Sequence, residues 1–191
     1  MHAVKNFIPE KSMSIKNKLS AFLAVATMLA AGFANSTVVT VDSNANSIGG
    51  GTALNTGIIL DTNTEFSIVV DPSQMWNFGG GNPNYNTNAD GMGAGWEMGM
   101  TNPDGSNFAA SIGALTGRIG NGNYFVVGTN FHGLANASGA LNLYFWDSDS
   151  WNNIGAVQAD INVVPEPASL GLMALGLLAL ARRRNFGAQA K

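Results

Sequence analysis

Cysteine is absent from the 191-residue chain. No disulfide can staple its fold. No thiolate nucleophile, cysteine-ligated zinc or iron–sulfur centre can exist in it. Basic residues are nearly absent from the middle. Between Asn35 and Val164 stand Asp42, Asp61, Glu65, Asp71, Asp90, Glu97, Asp104, Asp147, Asp149 and Asp160, against Arg118 alone. The other lysines and arginines lie at the two ends. A middle this acidic excludes nucleic acid as a partner, because phosphates require a basic surface, and it suits cations. Arg118 reads as a structural ion-pair partner. Histidine is scarce as well. His132 is the only one in that stretch, set among Gly and Asn with no Ser-His-Asp spacing around it, so the expectation is a non-enzyme. Carboxylate pairs keep a small polysaccharide-active enzyme as a third-ranked reading.

What is present is glycine, asparagine and enough apolar residue for a core: 24 glycines, and 46% hydrophobic residues overall. The composition is that of a folded, turn-rich domain rather than a disordered one.

Both ends read as processing segments. Lys16 and Lys18 precede the apolar run Leu19–Leu29 and the small residues Ala30, Ala31, Gly32 and Ala34. A basic start, an apolar middle and a small-residue exit make a signal peptide over 1–34, with Met13 a second candidate start. At the other end, Pro165 and Pro167 keep the chain extended. Ala168–Ala181 is uncharged, apolar and helix-favouring, and Arg182, Arg183 and Arg184 follow at once. Fourteen residues at ~1.5 Å each reach about 21 Å, short of a hydrocarbon core of roughly 30 Å, which suits a transient anchor. The arginines belong on the cytoplasmic side, which puts the folded domain outside. Pro165-Glu166-Pro167, an apolar helix and an arginine cluster together resemble the PEP-CTERM sorting signal of Gram-negative bacteria. The resemblance implies export, transient inner-membrane anchoring, cleavage by an exosortase near Pro-Glu-Pro, and a place at the cell surface or in an exopolysaccharide-rich biofilm matrix. The domain plan is therefore 1–34, 35–163 and 164–191.

In the middle, Thr37–Val41, Gly57–Leu60, Glu65–Val70, Ser111–Ile119, Asn123–Val127, Ala140–Trp146 and Ala156–Val163 read as strands. Trp76–Phe78 is a brief aromatic piece. Gly79 to Ala110 shows no periodicity and is predicted to be one long loop with turns at Asn82-Pro83, Asp90-Gly91 and Asn102–Gly105. Seven or eight short strands with no helix predict an all-β fold, a jelly-roll β-sandwich.

The stretch Leu141–Gly155 carries the chemistry. Leu141, Leu143 and Phe145 alternate with Asn142, Tyr144 and Trp146, and the chain then turns through Asp147, Asp149, Asn152 and Asn153. Four oxygen donors at the end of a rigid strand, with no base among them, suit a hard cation such as calcium. The other reading is a solvated acidic turn. An EF-hand is excluded, because its sixth position would be Asn152 instead of glycine and its twelfth Gln158 instead of glutamate.

Three pieces of the middle resemble the PA-IL-like family of galactose-binding bacterial lectins. They are Gly113-Ala114-Leu115-Thr116-Gly117-Arg118-Ile119-Gly120, Phe125-Val126-Val127-Gly128, and Gly139–Leu143 running on to Asp147, Asn152, Asn153 and Gly155. The resemblance implies a jelly-roll sandwich with one calcium ion that binds sugar hydroxyls directly. It assigns Asp147, Asn152 and Asn153 as side-chain ligands, with backbone carbonyls from Ser150 or Trp151 and from Phe78. Trp146 stands where the family often has asparagine, and the loop from Asp147 to Asn152 is short; both lower the expected calcium affinity. The family's sugar-contacting segment has no histidine here, so Asp90, Trp96 and Glu97 are the candidate sugar contacts. A structural matrix protein that keeps the fold without binding sugar is the alternative function. The oligomeric state is not set by the sequence.

Overall fold

A computed structural model describes residues 35–164 and Gly176. The expected signal peptide, Pro165–Pro167 and the arginine cluster lie outside the described residues. So does the predicted apolar helix except for Gly176, which is helical. Among the described residues no helix is long and apolar enough to cross a membrane.

Twelve strands follow one another in the described chain. They are β1 (Asn35–Asp42), β2 (Leu54–Leu60), β3 (Glu65–Val70), β4 (Trp76–Asn77), β5 (Asn86–Thr87) and β6 (Glu97–Thr101), then β7 (Asn107–Ser111), β8 (Leu115–Ile119), β9 (Phe125–Val126), β10 (Asn130–Leu134), β11 (Gly139–Phe145) and β12 (Ala156–Val163). Eight of them build two four-stranded antiparallel sheets, in the orders β1-β12-β3-β10 and β2-β11-β8-β9. The expected all-β sandwich is what forms.

Period-two alternation builds its interior. Phe66, Ile68 and Val70 of β3 and Val157, Ala159 and Ile161 of β12 are buried, as are Leu141, Leu143 and Phe145 of β11. Their apolar faces join in one core with Leu60, Leu115 and Ile119. Each of these side chains larger than alanine contributes roughly 1.5–3 kcal/mol through burial. Aromatic rings interlock across this core: Phe66 meets Phe125 edge-on at 6.0 Å, and Trp76 meets Phe145 at 4.5 Å.

Several sequence expectations need correction. The predicted long loop Gly79–Ala110 contains the β6–β7 hairpin, in register from Glu97↔Ser111 to Thr101↔Asn107. Its inward residues Met98, Met100, Phe108 and Ala110 alternate with exposed ones, a pattern diluted by Gly99 and the surrounding turns. The hairpin covers the far side of the second sheet, where Met98, Met100 and Phe108 pack on the buried Trp146. The predicted strand Ser111–Ile119 is broken by a turn in which Gly113 takes φ +80° and a Cβ would strike the Thr87 methyl. β10 is a strand where none was predicted, and His132 within it pairs with Glu65 at 2.9 Å. Among the described residues Arg118 has no carboxylate partner; its Nε donates to the Gly122 carbonyl at 3.1 Å and its guanidinium lies over Tyr124.

The register of β1 on β12 runs from Asn35↔Val163 to Asp42↔Ala156. The described chain therefore enters and leaves the sandwich at one end of these strands. The loops Ser43–Ala53 and Asp147–Gly155 sit at the other.

Candidate functional site

β11 delivers the loop Asp147–Gly155, and neighbours on both sides lace it into place. From one side, Gly49 N–H donates to the Asp147 carbonyl at 2.9 Å, Ser47 Oγ to the Asp149 carbonyl at 2.5 Å, and Asn44 Nδ2 to the Ser150 carbonyl at 2.7 Å. A Cβ on Gly49 would fall on the Ser148 carbonyl, so only glycine allows this approach. From the other side, Asn77 and Ile154 exchange two backbone bonds at 2.8 Å, and Gly80 N–H donates to the Asn152 carbonyl at 2.8 Å.

Within this frame the loop turns side-chain oxygens inward. Asp147 and Asn153 are each only 5% exposed. Ser148 N–H donates to Asp147 Oδ1 at 2.7 Å. Asn153 Nδ2 donates to the Ser43 carbonyl at 3.2 Å and to the Asp149 carbonyl at 3.0 Å. Those two bonds fix which way the amide faces, and its Oδ1 is left without a partner. Asp149 Oδ1 and Asn152 Oδ1 are likewise buried and unpartnered. Burial pushes the Asp147 carboxyl above the usual carboxylate range; the Ser148 and Asn153 donors oppose that and the Asp149 charge adds to it.

Each buried acceptor without a donor costs about 1–3 kcal/mol. Three of them in one loop, beside a desolvated carboxylate, form an acceptor-only concentration that a cation would satisfy. The donors are carboxylate and amide oxygens, the set a hard cation takes. No cluster of three or more His, Cys, Asp or Glu side chains occurs among the described residues. The residues present fit calcium: Asp147, Asn152 and Asn153 would hold it. The Ser150 carbonyl already accepts from Asn44 and from Asn153 N–H at 3.1 Å. The turn after Phe78 lies against the loop through Gly80.

The candidate sugar contacts separate. Trp96 is 42% exposed and meets Phe78 at 6.0 Å and Tyr85 at 6.1 Å, so it joins the aromatic turn that abuts the loop. Tyr85 was not singled out from sequence, since nothing local ties it to Trp96. Glu97 is exposed at the start of β6. Asp90 is engaged elsewhere: its Oδ1 accepts from Thr129 N–H at 2.7 Å and its Oδ2 from Thr129 Oγ1 at 3.1 Å, an anchor for the turn at Gly128. Trp151 stands out in the loop itself at 81% exposure.

Comparison with known proteins adds to this geometry. Residues 163–185 match the PEP-CTERM protein-sorting motif. The chain is thus an exported protein with a C-terminal membrane-anchoring sorting signal, the mark of an exosortase substrate. A solved structure described as the EclA N-terminal domain, a PllA-like lectin, is similar to this chain at 21% identity and a TM-score of 0.47, covering 66% of this chain and 95% of that one. No curated protein sequence matches.

Proposed function

We propose that the β-sandwich is a calcium-dependent carbohydrate-binding module, delivered by its sorting signal to the surface or extracellular matrix of a Gram-negative bacterium and acting on exopolysaccharide there. The observation that carries this reading is the set of buried, unpartnered oxygens of Asp149, Asn152 and Asn153 beside the desolvated Asp147. Bound calcium supplies a positive centre able to take sugar hydroxyls as further ligands. Trp96 offers an exposed ring for the C–H face of a sugar, and Glu97 an acceptor for its hydroxyls. The reading is of binding rather than turnover, because two of the three unpartnered oxygens belong to the amides of Asn152 and Asn153, which can ligate a cation but cannot exchange a proton.

The test is thermal unfolding of the protein in calcium and then in excess chelator, followed by a glycan screen. A ligand that binds only the folded state adds about 2.7 kcal/mol at a hundredfold excess over Kd. The expected result is a Tm several degrees higher in calcium, lost in chelator and absent in Asp147→Ala, with glycan capture that requires calcium. A Tm indifferent to millimolar calcium overturns the reading. Calcium binding without capture of any glycan leaves a structural matrix protein instead.

A further inference from the structure

The resemblance that assigns Asp147, Asn152 and Asn153 leaves Asp149 out and gives the backbone position to Ser150 or Trp151. The geometry divides the loop differently. The Ser150 carbonyl is committed twice, to Asn44 Nδ2 at 2.7 Å and to Asn153 N–H at 3.1 Å, so its lone pairs are used. Asp149 has its backbone carbonyl pinned instead, by Ser47 Oγ at 2.5 Å and Asn153 Nδ2 at 3.0 Å. Those bonds hold the Asp149 backbone against Ser47 and Asn153. Its Oδ1 is buried there without a donor, as are the amide oxygens of Asn152 and Asn153.

We infer that Asp149 is a direct ligand of the cation, a second carboxylate beside Asp147 that supplies the oxygen Ser150 cannot. This rests on the calcium reading above. The chemistry is specific to hard cations. Two carboxylates neutralise a divalent ion, and in oxygen-ligand sites affinity follows the number of charged ligands. A second carboxylate also offsets the short span from Asp147 to Asn152, which provides fewer backbone carbonyls than a longer loop. Without a cation Asp149 Oδ1 stays buried with no donor and the Asp149 charge opposes that of the buried Asp147, an arrangement that costs stability and that a divalent ion relieves.

The experiment uses the full chain purified in detergent, stripped with chelator and titrated with calcium by calorimetry, in parallel with Tm measured with and without calcium. The proteins are wild type, Asp149→Asn and Asp149→Ala. The expected result is a calcium affinity at least about tenfold weaker in Asp149→Asn and weaker still in Asp149→Ala, because the first loses charge and the second loses charge and oxygen. In chelator both variants should match or exceed the wild-type Tm, since they remove an unpartnered carboxylate from beside Asp147. Variants that bind calcium within twofold of a calcium-binding wild type overturn the inference and leave the calcium reading standing. A lower Tm in chelator with an unchanged calcium response also overturns it, by making Asp149 a structural residue. A wild type that does not bind calcium overturns both.

Discussion

Asp104 shows how much one exposed side chain can organise here. It sits in the turn of the β6–β7 hairpin and accepts from Asn123 Nδ2 at 2.6 Å, Ser106 Oγ at 2.6 Å and Ser106 N–H at 2.8 Å. The Asn123 bond, then those from Ser106, hold its carboxyl at about 2, below the ordinary 3.8. A carboxylate with a lowered folded pKa stabilises the fold above its unfolded pKa and loses that contribution as pH falls through the folded one. The window here runs from about 3.8 down to about 2. Thermal unfolding across that range should show wild type losing stability more steeply than Asp104→Ala; parallel curves would mean the bonds do not persist in solution. The same residue-scale logic runs in reverse at Asp147, where burial without a base disfavours the charge.

The hairpin that Asp104 closes is the element the sequence conceals. Val157, Ala159 and Ile161 announce β12 because nothing interrupts their alternation, and β3 and β11 are equally plain. Met98, Met100, Phe108 and Ala110 alternate just as well, but Gly99 and the turn residues around them break any window long enough to notice. β10 is hidden for a similar reason: Gly133 dilutes it, and only its pairing with β3 makes it a strand. The loop Asp147–Gly155 was legible as an oxygen-rich turn, because its donors are adjacent in sequence. Which donors are spoken for was not legible, since the answer lies with Asn44, Ser47 and Gly80, far away along the chain. Trp146 gives the hairpin its anchor. It is fully buried, donates from Nε1 to the Met98 carbonyl at 2.9 Å, and packs edge-on against Phe108 at 5.1 Å. Trp146→Ala should cost about 3–5 kcal/mol of stability. Hydrogen exchange should show β6 and β7 losing protection well before β11; equal loss across the sandwich would deny the hairpin its dependence on that ring.

At the scale of the whole domain, charge is the dominant asymmetry. Ten acidic residues face a single arginine between Asn35 and Val164. Self-repulsion of that kind destabilises a compact state and is screened by salt, with a Debye length of about 10 Å at 0.1 M. In chelator, Tm should therefore rise with sodium chloride between low and physiological ionic strength, and the increase should shrink once calcium is bound. A salt-independent Tm would show that the carboxylates lie too far apart to feel one another. The pairing of Asn35 with Val163 has a mechanical meaning too. A ligand gripped by the Asp147–Gly155 loop pulls directly on Ala156, at one end of β12, and any tether on the chain beyond Val164 pulls on the other. That tension runs along the strand axis. It is borne by the covalent backbone of β12 and leaves the ladders to β1 and β3 almost unloaded, whereas a pull at Asn35 and Val163 would unzip β1 from β12 one rung at a time. A load between the candidate site and the C-terminal exit is thus carried by one covalent strand.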